Sequence, residues 1–294
     1  MNNTDLACML CKRTYSKNKD GFYNFLTSVV QDPGHHQDEL YLEQQETYPL
    51  RVYSEFLLPI IKESGSKKIL DAGCGLGTEI NEALKDGYYA YGIDLPNMLP
   101  YWSKKSNDPD SFIACSAVSM PFPDNSFDLI WSLGVVEHIG TSADTATLIP
   151  EYQAFRAKYA NELLRVIKPG GKIIISCPNK SFPIDIHHGP TCGNHLVRFR
   201  WYIFNKTGLN FHKIWGKYHL LSYAETRRLF LHNKMTGKFK PLPLKGYFGF
   251  DKFKTGSFRF VGNLIRYYVE HLPKLLLGTF LNPYMLVIIE KKKT

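Results

Sequence analysis

Long apolar runs are missing from this chain of 294 residues. The longest, Leu275 to Ile289, is interrupted by Gly278 and by Asn282-Pro283, so it is too short and too broken to span a bilayer. Cysteine is also scarce. The six present (Cys8, Cys11, Cys74, Cys115, Cys177 and Cys192) are too sparse for a disulfide framework. The opening residues Met1-Asn-Asn-Thr-Asp5 carry no basic segment followed by an apolar run, which predicts no secretory signal. Together these absences predict a soluble protein of a reducing compartment, the cytoplasm. No internal repeat is present. With 44% hydrophobic and 14% aromatic residues the chain is neither disordered nor collagen-like, and it has enough apolar material for one sizeable core.

One further scarcity is local. From Trp201 onward only 4 Asp/Glu stand against 17 Lys/Arg, whereas residues 1–200 hold 23 against 19. A basic final third is attracted to anions: an anionic membrane, nucleic acid or a phosphorylated small molecule. Aromatics run among these charges, including Trp201, Tyr202, Phe211, Trp215, Tyr247 and Phe253. That density suits a pocket or an interface better than a plain solvated face.

The middle of the chain alternates between two periodicities. Lys67–Ala72, Tyr88–Asp94, Ser111–Cys115, Phe127–Ser132 and Lys172–Cys177 are short apolar runs and predict five strands. Thr78–Asp86, closed by Gly87, and Thr145–Ile167, closed by Pro169-Gly170-Gly171, predict helices. Buried strands alternating with helices mean a doubly wound α/β fold, a mostly parallel sheet with helices on both faces. After Pro178 the alternation lapses into an aromatic and basic insertion. Ser222 and Glu225 have capping-box spacing and open a helix to about His232. Ser257–His271 reads as helix and Tyr284–Ile289 as a last strand, with late strands giving the sheet a mixed edge.

The most informative segment is Ile69-Leu-Asp-Ala-Gly-Cys-Gly-Leu-Gly-Thr78. A strand enters a glycine turn that leads into a helix, whose first N–H groups are free. The spacing is not the G-x-G-x-x-G of a dinucleotide site. Asp71 leads instead, and an acid there suits an ammonium group better than a pyrophosphate. Four motifs follow in order over about residues 65–180: this loop, Tyr91-Gly-Ile-Asp-Leu95, Met120 to Ile130 with Trp131 to Ile139, and Leu164-Arg-Val-Ile-Lys-Pro-Gly-Gly171. Together they resemble the class I S-adenosylmethionine-dependent methyltransferases, of the small-molecule subgroup, with its Rossmann-like fold.

The resemblance implies S-adenosyl-L-methionine as cofactor. It implies cofactor contacts from Asp71, Gly73, Cys74, Gly75, Gly77, Asp94, Leu95, Ser116, Ala117, Met120, Ser132 and Leu133. Asp94 matches the acid that holds the ribose hydroxyls. Ser116 stands where the family commonly has an acid for the adenine amino group, and a hydroxyl accepts there without charge assistance. Cys8-Met-Leu-Cys11 has zinc-ligand spacing and looks like half of a zinc ribbon. With its first cysteine pair absent, it is expected to be a degenerate remnant without metal, the alternative being a zinc site completed by His35-His36. The expected organisation is an N-terminal extension at 1–45 and a methyltransferase domain at 46–294, with acceptor-binding insertions at about 179–221 and 234–274.

Methyl transfer needs a positioned nucleophile and, for a hydroxyl acceptor, a general base. Acceptors bind beyond the carboxyl ends of the strands. The candidates there are Glu137 and His138 after the fourth strand, and His187 and His188 after the fifth, with Asp185 near enough to orient an imidazole. Loop packing or a surface position is the competing role for His187 and His188, and capping or bracing the following helix the competing role for Glu137 and His138. No Asn/Asp-Pro-Pro-Tyr-type motif of amino-methylating nucleic-acid enzymes follows the fourth strand, where Ser132-Leu-Gly-Val135 stands instead. The expected partner is therefore a small-molecule acceptor, methylated at oxygen, with peripheral contact to an anionic membrane. An RNA methyltransferase ranks lower because no RNA-binding module is evident, and a non-methylating protein that keeps the cofactor fold is the third reading.

Overall fold

The computed structural model describes residues 5–7, 13–26, 46–106, 108–142, 147–185, 187–190, 196–232, 234–247 and 259–293. Cys8, Cys11, Cys192 and His195 lie outside them, and so does the zinc-ribbon expectation that rests on the first two.

Eight strands make one sheet: β1 (Tyr23–Asn24), β2 (Lys68–Ala72), β3 (Tyr89–Asp94), β4 (Phe112–Ala114), β5 (Phe127–Leu133), β6 (Ile167–Pro178), β7 (Thr236–Pro241) and β8 (Tyr284–Lys291). Their order in space is β7-β8-β6-β5-β2-β3-β4-β1. The first six run parallel. β8 is antiparallel to β6 and β7 antiparallel to β8, which gives the mixed edge. The chain winds outward from β2 through β3 and β4, then reverses to β5 and β6. A crevice therefore opens between β2 and β5 at the carboxyl ends of the strands.

The helices are α1 (Leu58–Ser64), α2 (Thr78–Lys85), α3 (Leu99–Lys105), α4 (Tyr152–Val166), α5 (Val197–Thr207), α6 (Tyr223–Leu231) and α7 (Arg259–Glu270). Residues 46–51 and a π-helical turn at Val52–Leu57 lead into α1. Alternate strand residues feed two cores. Ile69, Leu129, Trp131 and Ile174 pack with Ile61 of α1, Ile80 of α2 and Trp102 of α3. Leu70, Ile130, Ile173 and Ile175 pack with Tyr159 and Leu163 of α4 and Phe230 of α6. Each such fully buried aliphatic side chain contributes about 1.5–3 kcal/mol. The doubly wound architecture follows from this two-sided burial. Among the described residues no helix is long and apolar enough to cross a membrane.

Boundaries moved where prolines and glycines act differently from a simple stop. The helix read from Thr145 begins only at Tyr152. Pro150 disfavours a helical residue before it, and Thr141 and Leu148 form a bridge upstream. Pro169-Gly170-Gly171 ends α4 but does not separate it from the strand. β6 starts at Ile167 and bulges, so Phe127 pairs with Ile167 and Leu129 with Lys172. The capping box is present: Ser222 Oγ accepts from the Glu225 N–H at 3.2 Å and Glu225 Oε2 from the Ser222 N–H at 2.9 Å. The basic stretch from Lys234 supplies β7 at the sheet edge. Three helices, α1, α3 and α5, had no expectation. α5 buries no residue, so no apolar stripe announces it.

Candidate active site

At the end of β2 the chain turns through Gly73–Gly77 into α2. The N–H groups of Gly73 and Cys74 both donate to the Ile93 carbonyl, at 2.9 and 3.0 Å, tying the turn to β3. Gly73 has φ +114°, and a Cβ there would stand 2.2 Å from Val135 Cγ2; at Gly77, with φ +78°, it would stand 2.2 Å from the Phe112 ring. Both glycines are thus required by backbone conformation and by close packing. The Trp102 indole of α3 donates to the Gly75 carbonyl at 2.8 Å and holds the outer side of the turn.

Asp94 ends β3 at this turn. Its Oδ2 accepts from the Gly75 N–H at 2.8 Å and its Oδ1 from the Leu95 N–H at 2.7 Å. Leu95 is exposed at the rim, Ser116 and Ala117 are half-buried after β4, and Met120 is buried. Ser116 Oγ accepts from the Val118 N–H. Cys74 and Ser132 turn their side chains inward. The Cys74 sulfur lies against Gly92, and the Ser132 hydroxyl donates to the Ala72 carbonyl. Leu133 is half-buried at the end of β5.

Two acids share the base of the turn. Burial, then the charge of Glu79, drive the Asp71 carboxyl well above its usual range; a Trp131 hydrogen bond opposes this and Asp94 adds to it. Burial pushes Glu79, in the first turn of α2, up to about 7. Two desolvated carboxyls of this kind favour a cation between them. Beyond them the Arg51 guanidinium lies over the Tyr48 ring, 5.5 Å from its centroid. Its Nε and Nη2 are buried without a hydrogen-bond partner. Burial, chiefly, raises the Tyr48 hydroxyl, which Arg51 lowers and Glu79 raises, so Arg51 and Glu79 both act on this one ring. By chemistry, Arg51 offers donors to a carboxylate, and Asp71 and Glu79 offer acceptors to an ammonium, the two charges of a zwitterionic amino acid. Sequence reading missed Arg51 and Glu79. The arginine lies ahead of the first predicted strand, and the acid looks like an ordinary first-turn residue.

Val135, which stands on Gly73, leads directly to Glu137 and His138. His188 is brought to the same place. Its Nδ1 and Asp185 Oδ2 are 2.7 Å apart, and Asp185 Oδ1 accepts from the N–H groups of His187 and His188. Burial alone would raise Asp185, but the His188 hydrogen bond and charge outweigh it and hold it down at about 2. Burial likewise opposes protonation of His188, yet Asp185 and Glu137 raise it. The rings of His138 and His188 are 5.2 Å apart, and His219 stands 4.9 Å from His188. Burial pushes Glu137 up to about 7 and, with the His188 charge, pushes His219 down to about 3. Glu137 Oε2 and both ring nitrogens of His219 are buried without partners.

Three of the four expected catalytic candidates, Glu137, His138 and His188, therefore converge. His187 does not join them: it is exposed, with its ring edge-on to Tyr284 at 5.4 Å. His219 had no sequence signal. It arrives because the Lys180 N–H donates to the Leu221 carbonyl, laying the chain before α6 along the end of β6.

Comparison with known proteins agrees with the motif reading. Residues 70–175 match a family described as "Methyltransferase domain". The chain is 32% identical over 166 residues to tocopherol O-methyltransferase of Arabidopsis thaliana, covering 53% of this chain and 41% of that one. It is 32% identical over 112 residues to 2-methyl-6-phytyl-1,4-hydroquinone methyltransferase of Synechocystis sp., covering 37% and 31%. It is 30% identical over 182 residues to phosphoethanolamine N-methyltransferase 1 of Arabidopsis thaliana, covering 59% and 34%. The chain thus spans about two fifths or less of these relatives' own length. A solved structure of Haemonchus contortus phosphoethanolamine N-methyltransferase 2, with phosphomonomethylethanolamine and S-adenosylhomocysteine, superposes with TM-score 0.48 at 16% identity, covering 92% of this chain and 62% of that one. Residues 70–175, which hold the glycine turn led by Asp71 and Asp94 at the end of β3, are therefore similar to a methyltransferase domain, the match covering about a third of the chain.

Proposed function

We propose that this chain transfers the methyl group of S-adenosylmethionine to a hydroxyl of a small-molecule acceptor. The cofactor's amino-acid part lies between Arg51 and the Asp71–Glu79 pair, and its ribose hydroxyls meet Asp94. The acceptor oxygen sits against Glu137, His138 and His188. As the O–CH3 bond forms, the C–S bond breaks and neutral S-adenosylhomocysteine leaves. The hydroxyl proton is lost with the assistance of this cluster. The observation that carries the reading is the Asp185–His188 pair, which fixes one imidazole tautomer beside Glu137 and His138. Three relatives, named for tocopherol, 2-methyl-6-phytyl-1,4-hydroquinone and phosphoethanolamine, support a small molecule as substrate.

His188→Ala is expected to lower turnover by about 10²–10⁴ while S-adenosylmethionine binds as before. Paired turnover and calorimetric titration check this. Unchanged turnover would remove the cluster from the chemistry.

Peripheral membrane contact is the partner reading we favour. Phe199, Tyr202 and Trp215 are 60%, 62% and 71% exposed, and Arg198, Lys206, Lys213 and Lys217 are exposed among them. Aromatic rings interleaved with cations suit an anionic lipid surface. Sedimentation with anionic and neutral vesicles tests it, and equal recovery with both would reduce the charge to solvation.

A further inference from the structure

We propose that Glu137, His138 and His188 bind one divalent transition-metal ion, placed to hold the acceptor oxygen. This deepens the functional reading above and rests on it for the location of the acceptor, although the ion's binding is measurable without any acceptor.

The three residues each offer a ligand atom, and these atoms lie within 4.8 Å of one another. Ligand atoms around a bound zinc stand about 3.4 Å apart, given metal–ligand lengths near 2.1 Å. Small rotations about the side-chain bonds of Glu137, His138 and His188 close that difference. The donor set is two imidazoles and one carboxylate, which suits zinc, iron, cobalt or manganese and leaves coordination positions for water and substrate.

Two independent observations point to a ligand here. Glu137 is 1% exposed and its Oε2 is buried with no hydrogen-bond partner. Nearby cationic groups do not answer it. Arg156 directs its Nη2 to the backbone carbonyls of Glu137 and His219, and its Nε to the carbonyl of Ile139. The second observation is the support behind His188. Its Nδ1 meets Asp185, which is 1% exposed and further fixed by two backbone N–H groups. This leaves Nε2 for the ion. A carboxylate behind a histidine is the usual outer support of a metal ligand, because it sets the tautomer and strengthens the donor nitrogen. His219, with both ring nitrogens unpartnered, walls the same space.

The chemistry balances. The acceptor hydroxyl coordinates the ion, and its O–H bond breaks with the proton passing to solvent. The metal-held oxygen then attacks the cofactor's methyl carbon, the C–S bond breaks, and the methylated oxygen dissociates from the ion. The ion is not oxidised or reduced.

The test uses the full chain in a Cys8→Ser/Cys11→Ser background, which removes the other zinc-ligand spacing. Chelator-treated protein is titrated with zinc chloride by calorimetry, with cobalt chloride for the visible absorption of the bound ion, and with magnesium chloride for contrast. One zinc or cobalt per chain is expected, and no comparable magnesium binding. His138→Asn/His188→Asn should abolish this site, Glu137→Gln should weaken it, and Asp185→Asn should weaken it 10- to 100-fold. S-adenosylmethionine affinity, unchanged throughout, certifies that each variant is folded. Zinc binding equal in the wild type and the double histidine variant would overturn the proposal, as would no zinc binding at all. If His188→Ala abolishes turnover while the chain binds no metal, the methyltransferase reading stands and the metal falls. If zinc binds at this site but no S-adenosylmethionine binds, the functional reading falls and the metal site stands.

Discussion

The two ends of the sheet differ in how completely their polar groups are paired. At the amino ends of the strands, Asp128 accepts from the N–H groups of Lys67 and Lys68 at 3.0 and 2.8 Å and from Lys168 Nζ at 2.6 Å. Arg165 binds Glu162, Asp124 and the carbonyls of Met120 and Phe122. Lys291 Nζ meets Asn125 and the Ile167 carbonyl. At the carboxyl ends, Arg51 Nε and Nη2, Glu137 Oε2 and both nitrogens of His219 have no partner, and Asp71 and Glu79 are buried as two like acids. An unpaired buried polar group costs about 1–3 kcal/mol. A fold tolerates that where a ligand supplies the missing partners, which is why we propose the unpaired end as the one that binds.

That contrast is open to direct attack. The largest effect is expected from Gly73→Val, which forces a β-branched side chain into a positive φ and against Val135. S-adenosylmethionine affinity should fall about 100-fold or more, read by calorimetry. Next, Arg51→Met should weaken cofactor binding about 10- to 100-fold, the value of charge-assisted hydrogen bonds to a carboxylate. Thermal stability of the free protein should hold or rise, because two buried orphan donors are removed. A clear loss of stability instead would mean that Arg51 serves the fold.

A smaller effect concerns pH. Glu79 is held up at about 7 by burial, so its ionised form grows as pH rises from 6 to 8. A cationic ammonium prefers that form, and cofactor affinity should rise severalfold over this interval. The free protein should move the other way. A carboxyl whose folded value is raised contributes stability that is complete below its ordinary value near 4.3 and lost as pH climbs through 7. Glu79→Gln should flatten both profiles. The smallest effect belongs to the paired end. Asp128→Asn should cost about 1 kcal/mol of stability and leave cofactor affinity unchanged. Backbone and Lys168 hydrogen bonds outweigh burial and hold Asp128 below its usual value. Its contribution is therefore present above pH 4 and disappears as pH falls through the folded value, so variant and wild type should converge in acid.

The sequence determined the doubly wound core, the glycine turn and Asp94, because each is a local matter. Strand residues alternate between two buried faces within a few positions, and a glycine forced to positive φ is visible in its own motif. It also brought Glu137 and His138 near the right edge, since they follow β5 directly. Tertiary structure decided the rest. It separated His188 from the adjacent His187, because the Asp185 carboxylate captures one ring and leaves the other on the surface against Tyr284. It carried Arg51, from a helix before the first core strand, onto the Tyr48 ring on which Glu79 also acts, and brought His219 to His188 from 31 positions away. No periodicity or spacing encodes such meetings. They depend on which segments pack across the end of the sheet, and burial there, more than residue type, decides which charged groups wait for a ligand.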